Sequence, residues 1–268
     1  MSVQTLYTAA TGMEALQTKL DVIANNLANV NTTGFKKGRA NMEDLFYRHY
    51  QYPGAQDQQG NLTATGTSVG LGTRVQSIQT SFVQGAFQQT DGKYDVAIEG
   101  PGFFKVTDPA TGQDLYTRAG NFSLNAQNQL VLGSAQVGRL LSPSIDIPQD
   151  AVAVTISSDG SVLVLQPGQT QAQQAGQLEL ATFVNPEGLL KLGENLYMAT
   201  SASGDPQAGT PGTEGRGVVK QGFLEASNVE PVQELIDLIT TQRSFELNSQ
   251  AIQVGDDILQ LISNLRRP

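Results

Sequence analysis

His49 is the only histidine, and the chain has no cysteine. Zinc held by Cys or by several His is therefore excluded, and a site built from carboxylates alone would be unusual. Any Ser-His-Asp relay would have to use His49, and no Gly-x-Ser-x-Gly elbow is present. His49 lies in a polar, tyrosine-rich stretch, where a surface residue is the simpler reading than a general base. Asp256 and Asp257 are adjacent carboxylates. On a helix, neighbours diverge by about 100°, so the two cannot share a substrate. Gly70-Leu71-Gly72 and Gly100-Pro101-Gly102 resemble phosphate loops only superficially. Neither continues into a six-residue glycine motif before a helix, and Pro101 lacks the amide a phosphate needs. Three short glycosylation sequons, at Asn31, Asn61 and Asn121, are assigned no role. The expectation is no catalysis, no metal, no cofactor and no small-molecule substrate.

The net charge of −9 argues against nucleic acid, which needs clustered Lys and Arg. The short basic groups at Lys36-Lys37 with Arg39, and at Arg266-Arg267, read as solvated ends. Without cysteine there are no disulfides. No run of about 18 apolar residues is present to span a membrane as a helix. The N-terminal residues lack the basic and apolar regions of a cleavable signal peptide, so any export is expected to proceed without one.

The strongest pattern is structural. Leu6, Ala9, Met13, Leu16, Leu20, Ile23, Leu27 and Val30 recur at spacings of three and four. Leu247, Ala251, Val254, Ile258, Leu261 and Leu265 do the same near the other end. Such narrow seams are the signature of coiled coils. They bury each other, or the same seams of neighbouring molecules. The first predicts a helix over about 3–31, roughly 40 Å long at 1.5 Å per residue. Gly12 sits inside it at a cost of about 1 kcal/mol, and Gly34 is expected as a left-handed cap. The second predicts a helix over about 229–265, with Asn228 as N-cap and Pro231 in the first turn.

Between the helices the period changes to two. Runs at 73–82, 94–98, 102–106, 115–118, 121–124, 129–132, 151–156, 161–165, 176–184 and 195–200 alternate with turn residues. Ser158-Asp159-Gly160 marks a hairpin. The Pro, Gly, Gln and Thr-rich stretch 52–72 is too long for a passive connector, and reads as an exposed loop or a hairpin. The fold class is α+β: long terminal helices forming a coiled-coil layer and a central, mostly antiparallel β domain. The expected division is 1–35 with 229–268 as the helical domain and 95–200 as the β-rich domain. Residues 36–94 and 201–228 connect them and include the 52–72 loop.

The run Ala-Asn-Asn-Leu-Ala-Asn-Val-Asn-Thr-Thr-Gly-Phe-Lys from Ala24 to Lys36 resembles the N-terminal signature of bacterial flagellar rod and hook proteins. The segments from Glu225 to Ile236 and from Thr241 to Ser249 resemble the C-terminal signature of the same family. Asp95 to Phe104, Tyr116 to Phe122 and Gly188 to Tyr197 resemble its central β region. The likeness covers nearly the whole chain. Pro231 departs from the family pattern but falls in a first turn, where proline is tolerated. The chain length and the segment 47–72, with Pro53-Gly54-Ala55-Gln56, are most similar to the distal rod member. A proximal rod or hook-like paralogue is the alternative within the family, and a secreted β-rich binding protein the alternative outside it.

The resemblance implies a subunit that stacks helically with copies of itself into a hollow drive shaft carrying torque from motor to hook. It implies a rod in the periplasm and passage through the flagellar export apparatus. The implied partners are the proximal rod proteins, the hook protein and the surrounding periplasmic and outer-membrane ring proteins. It also implies that the terminal helices form the inner layer. The expected self-assembly residues are Leu6, Met13, Leu16, Leu20, Ile23, Asn25, Asn26, Leu27 and Asn29 in the first helix. In the second they are Leu247, Val254, Ile258, Leu261 and Leu265.

Overall fold

The computed structural model describes residues 3–54, 56, 62, 64–133, 138–169 and 171–265. The Asn61 sequon, Arg266-Arg267 and part of the 52–72 stretch lie outside these. The chain forms two compact units.

The first unit gathers residues 1–28, 38–80 and 230–268. It holds helix α1 (Val3–Ala28), four strands β1 (Gly38–Asp44), β2 (Tyr47–Gln51), β3 (Thr67–Gly70) and β4 (Thr73–Thr80), and helix α2 (Pro231–Leu265). β1 pairs antiparallel with β4, and β2 with β3. Within the 52–72 stretch, Thr67–Gly70 is therefore the second strand of a hairpin, whose register runs from Tyr47 opposite Gly70 to Gln51 opposite Thr67. Both helices end close to their sequence-based limits, but their caps differ from expectation. α1 stops at Ala28, six residues before Gly34, which is left-handed (φ 70°) but caps no helix. α2 starts at Pro231, and its first amide bond runs from Glu234 N–H to the Glu230 carbonyl. Asn228 is not the N-cap, because its amide is used elsewhere.

The second unit comprises 29–37 and 81–229. Its largest sheet is antiparallel, with Phe103–Thr107 central, flanked by Asp114–Thr117, Arg139–Leu141 and Leu180–Thr182. The predicted hairpin around Asp159-Gly160 joins Ala153–Ile156 to Ser161–Leu165 in a smaller sheet. Both faces of the central strand are covered, as its period of two requires. Phe104 enters the main core with Ile98, Leu130, Leu141, Ile145 and Leu180. Its neighbour Phe103 enters a second cluster with Tyr116, Phe183, Leu189 and Tyr197. Edge-to-face ring contacts at 5.1 Å (Phe104 with Phe122) and 4.8 Å (Tyr116 with Phe183) fill the two layers.

Candidate assembly surface

α1 and α2 pack antiparallel. Gly12 faces Asn248, Leu6 faces Gly255, and Asn26 bonds Glu234. The residues of α2 turned inward are Glu234, Leu238, Thr241, Phe245, Asn248, Ile252, Gly255 and Leu259, at strict spacings of four and three. Glu234, Thr241 and Gly255 are buried and the others half-buried. One of the two positions in this heptad is polar or lacks a side chain in every repeat. Gly255 lets Leu6 approach closely: a Cβ there would lie 2.5 Å from Leu6 Cδ2, so that side chain would have to shift. At Gly12 a Cβ would meet the Asn248 amide at an ordinary contact distance of 3.4 Å.

The seam read from the sequence runs one residue ahead of that heptad, about 100° around α2 from its inward face. Leu247, Val254 and Leu261 are 65 %, 51 % and 62 % exposed. Val232, Leu235, Ile236 and Ile239 extend the exposed apolar surface towards the helix start. Ile258 is half-buried; Leu265 belongs to the helix, and its side chain lies outside the described residues. On α1, Leu6, Met13, Leu16, Leu20 and Leu27 are half-buried and Asn25 is exposed, whereas Asn29, expected in the first helix, is half-buried in the turn after its end at Ala28. Ile23 and Asn26 are buried within the chain itself. Asn26 works as a three-way clamp. Its Oδ1 accepts from Gly38 N–H (2.9 Å), and its Nδ2 donates to the Gly38 carbonyl (2.9 Å) and Glu234 Oε2 (3.2 Å). The side chain thereby fixes the end of α1 against β1 and α2.

The β2–β3 hairpin is a second exposed apolar surface. Phe46, Tyr47, Tyr50, Tyr52 and Val69 all face solvent. The Arg48 guanidinium sits 5.1 Å from the Tyr50 ring centre, and His49 stacks on Tyr52 at 5.2 Å. His49 is an exposed ring partner, and Asp256 and Asp257 are exposed on α2.

In the second unit the chain segments leading out of α1 and into α2 meet at a buried ion cluster. Lys36 Nζ lies 2.5 Å from Glu225 Oε1 and donates to the Val83 carbonyl at 2.9 Å. Both side chains are wholly buried. Gly85 N–H donates to the same carboxylate oxygen, and Arg118 Nε stands 3.9 Å from the other. Burial lowers the Lys36 pKa, against the opposing pull of Glu225. Burial also lowers that of Arg118 and raises that of the Tyr197 phenol. Around the cluster, Gly34 N–H donates to the Glu225 carbonyl, and Asn228 accepts from Lys37 N–H while donating to the Ser81 and Val83 carbonyls. The expectation of a solvated basic end at Lys36 is overturned: its charge is neutralised by a carboxylate 189 residues away.

Three family models match the chain: a flagella basal body rod protein model over 6–36, the D1 domain of the flagellar hook protein FlgE/F/G over 97–164, and the C-terminal part of the flagellar basal body rod FlgEFG protein over 220–265. The flagellar basal-body rod protein FlgG of Caulobacter vibrioides is 45 % identical over 98 % of this chain and 99 % of its own length. The chain belongs to the flagellar basal-body rod protein family. FlgG of Buchnera aphidicola from Schizaphis graminum is 44 % identical over 98 % of this chain and all of its own. FlgF of Caulobacter vibrioides reaches 36 % over 90 % of this chain and 89 % of its own. This rod protein thus stands nearer to the FlgG relatives than to FlgF, and it is a structural subunit of the flagellar basal body.

The two terminal family models span both helices and both halves of the ion cluster. Sequence reasoning passed over Glu234, Thr241, Asn248 and Gly255, because a search for apolar seams discards polar heptads. The regular sevenfold step from 234 to 255 is the signal that could have found them. Lys36 with Glu225 and Arg118 carried no local signal.

Proposed function

We propose that this rod protein polymerises helically into the distal rod, a hollow shaft in the periplasm that carries torque from motor to hook, and that it performs no catalysis. The outer seam of α2 carries this reading. Leu247, Val254 and Leu261 of the expected coiled-coil stripe are left exposed by the chain's own helix pair, Ile258 of the same stripe is half-buried, and Leu265 continues it in sequence. A long exposed apolar stripe is the mark of an interaction surface. Copies packing these stripes together, with Leu6, Met13, Leu16, Leu20, Leu27 and Asn25 of neighbouring first helices, form the inner coiled-coil layer. The proximal rod proteins and the hook protein join at the ends, the ring proteins surround the shaft, and subunits arrive through the flagellar export apparatus. The β2–β3 hairpin adds contacts that stiffen it.

The test is the triple substitution Leu247→Asp, Val254→Asp, Leu261→Asp. Circular dichroism and sedimentation are read together. The expected result is a folded protein of parental helicity that no longer forms sedimenting tubes. Tubes at the parental concentration overturn the reading. Deleting 52–72 addresses the hairpin separately: a shaft of unchanged bending stiffness removes it from the account.

A further inference from the structure

A cleft of about 340 Å³ opens on the second unit. Phe82, Phe103, Phe183, Pro101 and Pro186 make its walls, and the almost fully buried Arg118 lines it. Its shape is fixed by polar bonds. Gln84 donates to the Ile98 carbonyl (2.5 Å) and accepts from Gly100 N–H (3.0 Å), while Arg118 donates to the Gly100 carbonyl (2.9 Å). The Arg118 Nε has no hydrogen-bond partner. Behind it, Lys36, Arg118 and Glu225 sum to one positive charge. Val83 and Val184, next in sequence to the wall residues Phe82 and Phe183, are 70 % and 80 % exposed. A preformed aromatic cleft with one underused cation suits an apolar anchor flanked by negative charge.

The chain itself carries such an anchor. Phe46 is 87 % exposed, more than any other large apolar side chain among the described residues. Asp44 is exposed two residues before it and holds the Tyr47 hydroxyl, whose pKa that bond raises. Glu43 pairs with Arg74 in the same segment. We propose that Phe46 of one copy seats in the Phe82–Phe103–Phe183 cleft of a second copy, with Asp44 facing the Arg118 side. Knob and hole are different surfaces of one chain, so the contact is head-to-tail and builds an open helix wherever its rotation does not close a ring. The inference rests on the assembly reading above and adds a contact to it outside the helices.

The absence of native cysteine makes the test clean. Phe46→Cys chains and Val184→Cys chains are mixed during assembly and oxidised. Sedimentation of the parent reports the assembly reading; the cross-link reports this one. The expected product is a disulfide-linked dimer joining the two variants, with far less from Phe46→Cys mixed with Val152→Cys, an exposed site elsewhere on the second unit. A photoreactive phenylalanine analogue at position 46 keeps the aromatic anchor and should label the cleft walls of another copy. Phe46→Ser should raise the concentration needed for assembly about tenfold or more, as loss of an aromatic anchor does, and Phe46→Leu much less. Sedimenting tubes without either cross-link, or equal cross-linking to position 152, overturn the proposal.

Discussion

The two units bury their apolar residues in opposite senses. In the second, the strand Phe103–Thr107 lies at the centre of a sheet, and the core is closed on both sides. In the first, α2 turns its more polar heptad inward and leaves Leu247, Val254 and Leu261 outside. A closed core satisfies the second unit alone. The helix pair is folded but leaves the coiled-coil face of Leu247, Val254 and Leu261 exposed. Self-sufficient packing and unfinished packing are thus written into separate parts of one chain.

The sharpest way to break this contrast is to disturb the second unit at its buried ion cluster. Lys36→Met leaves Glu225 buried beside only Arg118, and should cost about 3–5 kcal/mol in urea unfolding. Combining it with Glu225→Met should restore most of that loss; a double variant as unstable as the single would show that packing, not charge, holds this point.

A smaller effect is expected in the first unit from Asn26→Ala. It strips Gly38 N–H and Glu234 of a partner, and should cost about 2 kcal/mol. Hydrogen exchange at Gly38 should accelerate with it. Gly255→Leu forces a side chain against Leu6, and should cost about 1–2 kcal/mol by overpacking despite the better helix propensity of leucine. Helix content read at 222 nm should melt earlier in that variant while the β signal is unmoved.

The smallest effect on stability should come from Leu247→Ala, within about 0.5 kcal/mol, because the side chain touches little in the isolated chain. Assembly should nevertheless weaken. A large loss of monomer stability from Leu247→Ala, with Gly255→Leu harmless, would reverse the assignment of inner and outer faces.

Particular elements show where sequence reading reaches and where it ends. Both helices, the Asp159-Gly160 hairpin and the strand character of 102–106 were legible, because each depends on a local period or a local turn. The 52–72 stretch was legible only as loop or hairpin, since pairing of Tyr47 with Gly70 is a contact across 23 residues. Gly34 announced a left-handed residue but not its reason: a Cβ there would press to 2.8 Å from Ala119 N, far along the chain. Asn228 has the composition of an N-cap, and tertiary bonds to Lys37, Ser81 and Val83 drew its amide away.

By itself the sequence determined that two apolar seams exist, that catalytic residues are scarce, and that a β domain separates the helices. These follow from spacing and composition, which need no partner to be read. Only the tertiary structure decided which heptad of α2 faces α1. Two stripes of equal period wind along that helix, and periodicity cannot choose between them. Contact does: Gly255 admits Leu6, Glu234 meets Asn26, and Leu247, Val254 and Leu261 are left exposed.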